Sequence, residues 1–347
     1  MENNQLTEQP EQPDECCANC GNPAFLKEYP TKLCSECREK FIKFPVPKWL
    51  WLFAAALGVI LLFSLFSVPK NILAGIALEK GKKAEKQHRF FTAQKEFEEV
   101  VEKQPSYIEA ESHLMKAAFY NMDFVTFGNA LKALEKKDID DRELFAELDQ
   151  LITKSRNYFP GDSLRQITDK YDSLKAELPG NILLSYIIKN DSDICAKMIY
   201  ASILYDKKNY TSCDSVIHKI LKTDADFVPG LRLLASSERE AGNYQESITC
   251  CEKLLDINTE YSYAIASKAR TFLKMKKDKD ALKLALQAHG MDKKDGYSIA
   301  TLALAYHFNG NIGKRDEIIN NSKKDSLLSV YMSYALDVIN NKEKFRD

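Results

Sequence analysis

One stretch of the chain is apolar without interruption. Between Lys48 and Lys70, "KWLWLFAAALGVILLFSLFSVPK" carries no charge. At the helical rise, Trp49 to Val68 covers roughly 30 Å, the hydrocarbon thickness of a bilayer, which predicts a transmembrane helix over 49–68. Both tryptophans, Trp49 and Trp51, sit at its N-terminal edge, and Pro47 and Pro69 bracket it, as expected of headgroup anchors and helix ends. Beyond this stretch the pattern changes to a long period. Ala201, Ala235, Ala269 and Ala303 recur every 34 residues, as small residues do where helices touch closely. Tyr210 and Tyr244 keep the same spacing, with Asp278 breaking the series and Ile312 resuming it; Phe90, Phe124 and Tyr158 keep it earlier. Tyr158 and Tyr210 are one period plus eighteen residues apart, so an insertion separates two arrays. Two further tracks agree: Cys213, Ser247 and Ala281 are small, and Ile217, Cys251, Ala285 and Ile319 are apolar or small.

"GKKAEKQHRFFTAQKEFEEVVEKQP" (Gly81 to Pro105) and "ASSEREAGNYQESITCCEKLLDINTEY" (Ala235 to Tyr261) carry the glycine, aromatic and alanine positions of a known pattern, the second with a Gly-Asn-Tyr turn. These residues resemble the tetratricopeptide repeat, a 34-residue pair of antiparallel helices. The resemblance implies an all-α solenoid of seven units: 74–107, 108–141, 142–179, 194–227, 228–261, 262–295 and 296–325. The first array then covers 71–179 and the second 194–325, with 180–193 a linker or extra helix. "SLLSVYMSYALDVINNKEK" is helical in pattern, and 326–347 is expected to cap the stack. Such stacks bury a continuous core and form an inner groove that holds a protein or peptide partner. In the family the first helix of each pair lines that groove, which nominates Tyr205, Arg232, Arg239, Tyr263, Arg270, Lys274, Tyr297 and His307. The lysine, asparagine and arginine constellation that grips chaperone C-terminal carboxylates is absent: the matching positions read Arg232, Ser236, Ser267, Tyr297 and Thr301.

The nine cysteines fall into two groups. "CANCG" (Cys17 to Gly21) and "CSEC" (Cys34 to Cys37) form two CxxC turns whose spacing suits one tetrahedral, structural Zn2+ held by Cys17, Cys20, Cys34 and Cys37. Gly21 is suited to the positive φ that lets backbone amides approach the sulfurs. The segment resembles zinc-ribbon or treble-clef knuckles, and Cys16 is a thiol beyond their pattern. The module spans 16–45. A pair of disulfides is the alternative if this side of the chain is extracytoplasmic. The other thiols, Cys195, Cys213, Cys250 and Cys251, are scattered, and Cys213 and Cys251 fall on the small or apolar tracks, as buried thiols would.

Charge decides orientation only in part. Lys40, Lys43 and Lys48 precede the apolar stretch, but Lys70, Lys80, Lys82, Lys83 and Lys86 follow it. Metal-binding thiolates survive in a reducing compartment, so the N-terminus is expected in the cytoplasm and the solenoid outside it, on a single-pass membrane protein touching lipid through its span. Residues 1–15, "MENNQLTEQPEQPDE", hold five acids, no base and two prolines, and read as a disordered tail.

The chain balances 49 basic against 50 acidic groups, which gives no global field toward nucleic acid. No GxGxxG, phosphate loop, HExxH or GxSxG element occurs, and His88, His113, His218, His289 and His307 are dispersed, so no enzyme and no small-molecule substrate is expected. The expectation is a membrane-anchored scaffold. The competing one is a zinc-dependent sensing or nucleic-acid-binding regulator, for which Lys27, Lys32, Arg38, Lys40 and Lys43 form a modest patch.

Overall fold

A computed structural model of the chain describes residues 16–42, 47–322 and 326–346, without the side chains of 63–71 and 326–329. The acidic tail expected over 1–15 lies outside the described residues. Two compact units result, Met1–Lys70 and Asn71–Asp347. In the first, the cysteine turns lead into α1 (Ser35–Ile42), and α2 (Lys48–Lys86) begins.

The membrane span is not upheld. Among the described residues no helix is long and apolar enough to cross a membrane. Toward its end, α2 carries Glu79, Lys80, Lys82 and Lys83. The single-pass location, the sidedness drawn from it and the lipid contact are corrected with it.

In the second unit the end of α2 packs with α3 (Phe90–Lys103) and α4 (Ile108–Tyr120) around Ala77, Phe97, Val100 and Leu114. There, a Cβ on Gly81 would stand 2.5 Å from the Phe97 ring. Next, α4 pairs with α5 (Phe124–Leu134), and α6 (Arg142–Ser155) lies on α4. A 3-10 turn at Arg156–Tyr158 follows, then α7 (Asp162–Ser173) and α8 (Gly180–Lys189), which bury Leu164, Leu183 and Ile187 with Cys195. Three regular pairs come next: α9 (Ile194–Asp206) with α10 (Tyr210–Thr223), α11 (Val228–Ala241) with α12 (Tyr244–Ile257), and α13 (Ser262–Lys274) with α14 (Asp278–Met291). The chain closes with α15 (Gly296–Phe308), α16 (Ile312–Ser322) and α17 (Ser326–Ile339).

The period has two structural causes. Ala201, Ala235, Ala269 and Ala303 are fully buried, so at these points helices approach with no room for a larger side chain. The second cause is the turn inside each pair. A residue at positive φ recurs with the same period: His88 and Met122, then Lys208, Gly242, Lys276 and Gly310. The residue after each donates its N–H to a carbonyl five back, as in Arg89 to Ala84, Asn209 to Leu204 and Asn243 to Glu238. This is the left-handed helix stop that glycine suits and lysine strains.

The two arrays also touch each other. The carboxylate of Glu260, in the loop after α12, accepts from Arg89 Nε at 2.9 Å, Thr92 N at 2.8 Å and Thr92 Oγ1 at 2.8 Å. It thereby neutralises the N-terminus of α3, whose own N-cap Arg89 supplies no side-chain acceptor. Beside it, Thr259 N donates to His88 O at 2.9 Å, and Asn258 Nδ2 donates to Asn121 Oδ1 at 2.8 Å. Tyr158 meets Phe227 with ring centroids 4.9 Å apart.

Lys208 holds its positive φ at a cost that glycine would not carry. Lys208→Gly is therefore expected to stabilise the chain by about 0.5–1 kcal/mol after the added freedom of the unfolded chain is subtracted. Calorimetry should show Tm rising by roughly 1–3 °C; a fall would show that the turn is not strained.

Candidate functional site

The first candidate is the cysteine module. The four sulfurs of Cys17, Cys20, Cys34 and Cys37 all lie within 4.8 Å of one another, with Cys20 exposed and the other three buried. A tetrahedron with bonds of about 2.3 Å has sulfur–sulfur edges of about 3.8 Å, and Cys20 and Cys34 stand 3.6 Å apart. Backbone and side-chain donors already face the sulfurs: Cys37 N lies 3.4 Å from Cys34 Sγ, and Asn19 Nδ2 lies 3.3 Å from Cys37 Sγ. Gly21 has φ +72° and returns its N–H to Cys17 O at 2.9 Å.

The electrostatics of the four thiols are uneven. Backbone donation at Cys34, outweighing burial, draws the Cys17 thiol down to about 6. A donor at Asn22 also pulls on Cys20, yet the sulfurs of Cys37, Cys34 and Cys17 push it up to about 12. Four thiolates so close need a cation between them to ionise together. The buried cluster here is Cys17, Cys34 and Cys37 with Leu33 at its edge. The sulfurs are thus the core, and this group can hold a metal ion.

The second candidate is the inner face built by α9, α11, α13 and α15. Residues 34 apart on successive helices come into register there. Tyr263 on α13 stacks on Tyr297 on α15 with centroids 4.3 Å apart and planes at 27°. The Arg232 guanidinium lies 3.9 Å over Tyr263, and that of Arg270 lies 3.9 Å over Tyr297. The four side chains form one cation–aromatic ladder across three helices, two stacked rings flanked by two guanidinium groups. Arg270 Nε also donates to Thr301 Oγ1 at 2.8 Å. Arg239, 4 % exposed, reaches Ser267 Oγ at 3.2 Å and Glu240 at 3.1 Å. Lys274 Nζ shares Glu240 at 2.7 Å. Burial pushes the Glu240 carboxyl up, but Arg239 and Lys274 outweigh it and hold it below the ordinary glutamate value. The Tyr297 hydroxyl is buried and makes no hydrogen bond. Burial would raise its phenol, yet Arg270 and Arg239 draw it below its usual value.

Six of the eight nominated side chains therefore meet: Arg232, Tyr263, Arg270, Tyr297, Arg239 and, through Glu240, Lys274. Tyr205 stands beside Tyr210, centroids 5.7 Å apart, with its phenol raised by burial. His307 sits apart from the ladder, 3.3 Å from Arg315 Nη1, and burial followed by Arg315 and Arg346 lowers its imidazole. Glu240, the shared acceptor, was not nominated, and neither were Phe345 and Arg346, which reach the same face. Glu240 follows Arg239 directly, and that adjacent charge pair was the one available signal. The four scattered thiols are buried and unpaired. Burial pushes Cys195 and Cys213 up to about 11 and Cys250 up to about 12, which leaves them poorly nucleophilic.

No protein-family model matches the sequence, and no curated relative does. Solved structures do. A tetratricopeptide repeat protein from Parabacteroides merdae is similar at 13% identity over 76% of this chain and 98% of its own, TM-score 0.40. The TPR2AB domain of yeast Sti1, solved in complex with pHSP90, is similar at 16% over 69% and 98%, TM-score 0.29. YrrB, described as a TPR protein with an unusual peptide-binding site, is similar at 14% over 48% and 88%, TM-score 0.33. These values are low, and the tetratricopeptide-like fold rests on the period, turns and helix pairs described above.

Glu240 supplies a pH test. A depressed carboxyl contributes stability that is complete above the unfolded glutamate value and is lost as pH falls from there through the lower folded value. Glu240→Gln, which leaves two cations sharing one neutral acceptor, is expected to cost about 1–3 kcal/mol at pH 7. The gap from wild type should begin to narrow as pH falls below about 4 and close once pH is below the depressed folded value; a gap that does not narrow on acidification would remove Glu240 from this role.

Proposed function

We propose that the chain is a protein-interaction scaffold whose inner face, between α9 and α15, binds a polypeptide partner, with a structural Zn2+ in the Cys17, Cys20, Cys34 and Cys37 module. The observation that carries the first part is the Arg232, Tyr263, Arg270 and Tyr297 ladder. Rigid aromatic rings and guanidinium groups lose little entropy on binding and dominate interface energetics. Here they are pre-organised by stacking on one another. The Zn2+ reading is supported by a sulfur set with no open position for water and by the lack of any other core in the module.

Partner contact is tested by photo-crosslinking in cells that natively express the chain. A benzophenone amino acid at Tyr263 is expected to capture a discrete polypeptide, while one at Leu286 on the outer helix α14, 46 % exposed, is not. Equal capture at both positions, or none at either, would remove the inner face as the binding surface.

The metal is tested on the purified full chain. Elemental analysis should find about one zinc per chain. Cys34→Ser should lose it and unprotect the amides of 16–42 while leaving the main thermal transition in place. A metal-free chain with four titratable thiols and unchanged amide protection would end the zinc reading.

A further inference from the structure

A cap on a helical stack covers the apolar face of the last unit, and the final helix here also reaches back over earlier helices. Among the described residues α17 packs on α15 and touches α16 only slightly. Its Met332, Ala335 and Val338 enter one core with Ala269 and Leu273 of α13 and Leu302 of α15. Tyr334 comes within electrostatic reach of Glu240, Arg270 and Arg239, two helix pairs back. The chain then turns at Asn341, φ 57°, with Lys342 and Glu343 amides on Asp337 O at 2.8 and 3.1 Å. Phe345, 4 % exposed, settles between Phe308, centroids 5.3 Å apart, and Lys274, whose Nζ stands 4.9 Å from the ring. Arg346 anchors the end: its Nη1 donates to Leu273 O at 2.6 Å, its Nη2 to Asp278 at 3.0 Å, and its guanidinium lies 4.1 Å over Phe308. Residues 330–346 thus run back along the inner helices.

The arginines of the inner face are partnered without this strap. Arg239 is held by Glu240 and Ser267, Arg270 by Thr301 and Tyr297, and Arg232 by Tyr263. Lifting the strap breaks the Arg346 to Asp278 pair and the Phe345 contacts and withdraws Met332, Ala335 and Val338 from the core shared with Leu273 and Leu302, but strands none of Arg232, Arg239 and Arg270. The strap's other side faces outward at Val330, 73 % exposed, while Tyr331, half-exposed, lies with its ring against Gly296 of α15.

Resting on the inner-face reading above, we propose that residues 326–346 are an exchangeable internal ligand of that face. The partner that replaces them is a polypeptide of the same pattern. It is an amphipathic helix with aromatic residues three apart, as Tyr331 and Tyr334, on an apolar seam like Met332, Ala335 and Val338, closed by an aromatic–arginine pair like Phe345 and Arg346. Such a helix reproduces the strap's contacts, and the face binds one occupant at a time.

Gly296 provides a variant that acts on the strap alone. A Cβ there would stand 2.4 Å from Tyr331 Cδ2 and 3.2 Å from Tyr331 Cβ, so the Tyr331 ring must leave its place and its Cβ must give by a few tenths of an ångström, which loosens the strap at this contact. As the first residue of α15, alanine favours the helix over glycine, and α15 itself is not weakened. The full chain is compared as wild type, Gly296→Ala and Arg346→Asp, with the double variant Asp278→Arg/Arg346→Asp restoring the ion pair in reverse. Two readouts are taken: hydrogen exchange of 330–346, and fluorescence anisotropy with a labelled synthetic peptide of residues 326–346. Both single variants should exchange faster over 330–346 and bind the peptide at least tenfold more tightly than wild type, and the reversed pair should return both readouts toward wild type. Unchanged exchange in both single variants, or a loosened strap with no gain in peptide binding, would overturn the proposal. That failure is separable from failure of the inner-face reading: capture at Tyr263 can persist without peptide exchange, and peptide exchange can occur where no cellular partner is captured.

Discussion

The structure depends on close approach between successive helices at a column of alanines. Ala201, Ala235, Ala269 and Ala303 leave no accessible surface, and a larger side chain at any of them would push its helix off its neighbour. The spacing that results is what brings Tyr263 and Tyr297 into stacking contact at 4.3 Å. Arg232 and Arg270 then fall over those rings. The inner face is therefore a consequence of packing: a repeat that sets equivalent residues one helix apart sets their chemistry one helix apart as well.

Closure of the arrays on each other depends on a different kind of contact. Glu260 takes three donors from the start of α3, 168 or more residues away in sequence. Repeat stacking alone is local and can be read as nearest-neighbour energetics. Contacts of this separation make the arrays one cooperative body, because opening either side leaves a helix N-terminus and a carboxylate without partners.

What the sequence made legible follows from the same distinction. Period, helix pairs and buried small tracks derive from local pattern and leave a trace 34 residues on, as Tyr263 does at Tyr297, whereas Arg232, Arg239 and Arg270 have no counterpart at that spacing. The glycine stops at Gly242 and Gly310 were visible as glycines; His88, Met122, Lys208 and Lys276 occupy the same strained position without any signature in residue type. Glu260 and the Arg346 to Asp278 pair join isolated polar residues across loops, and no periodic signal marks them. The cysteine module was legible because its core is four sulfurs at fixed spacing. The stretch after Lys48 read as a membrane span on length and apolarity, whereas no described helix meets both requirements.

The proposed competition is between residues 330–346 and a partner polypeptide for one surface of the inner helices. Hydrogen exchange of the full chain, free and in complex with the polypeptide captured at Tyr263, tests it most directly. The expected result is gained or retained protection on α11, α13 and α15 together with lost protection over 330–346. Protection gained on α10, α12 and α14, with the tail unchanged, would contradict it.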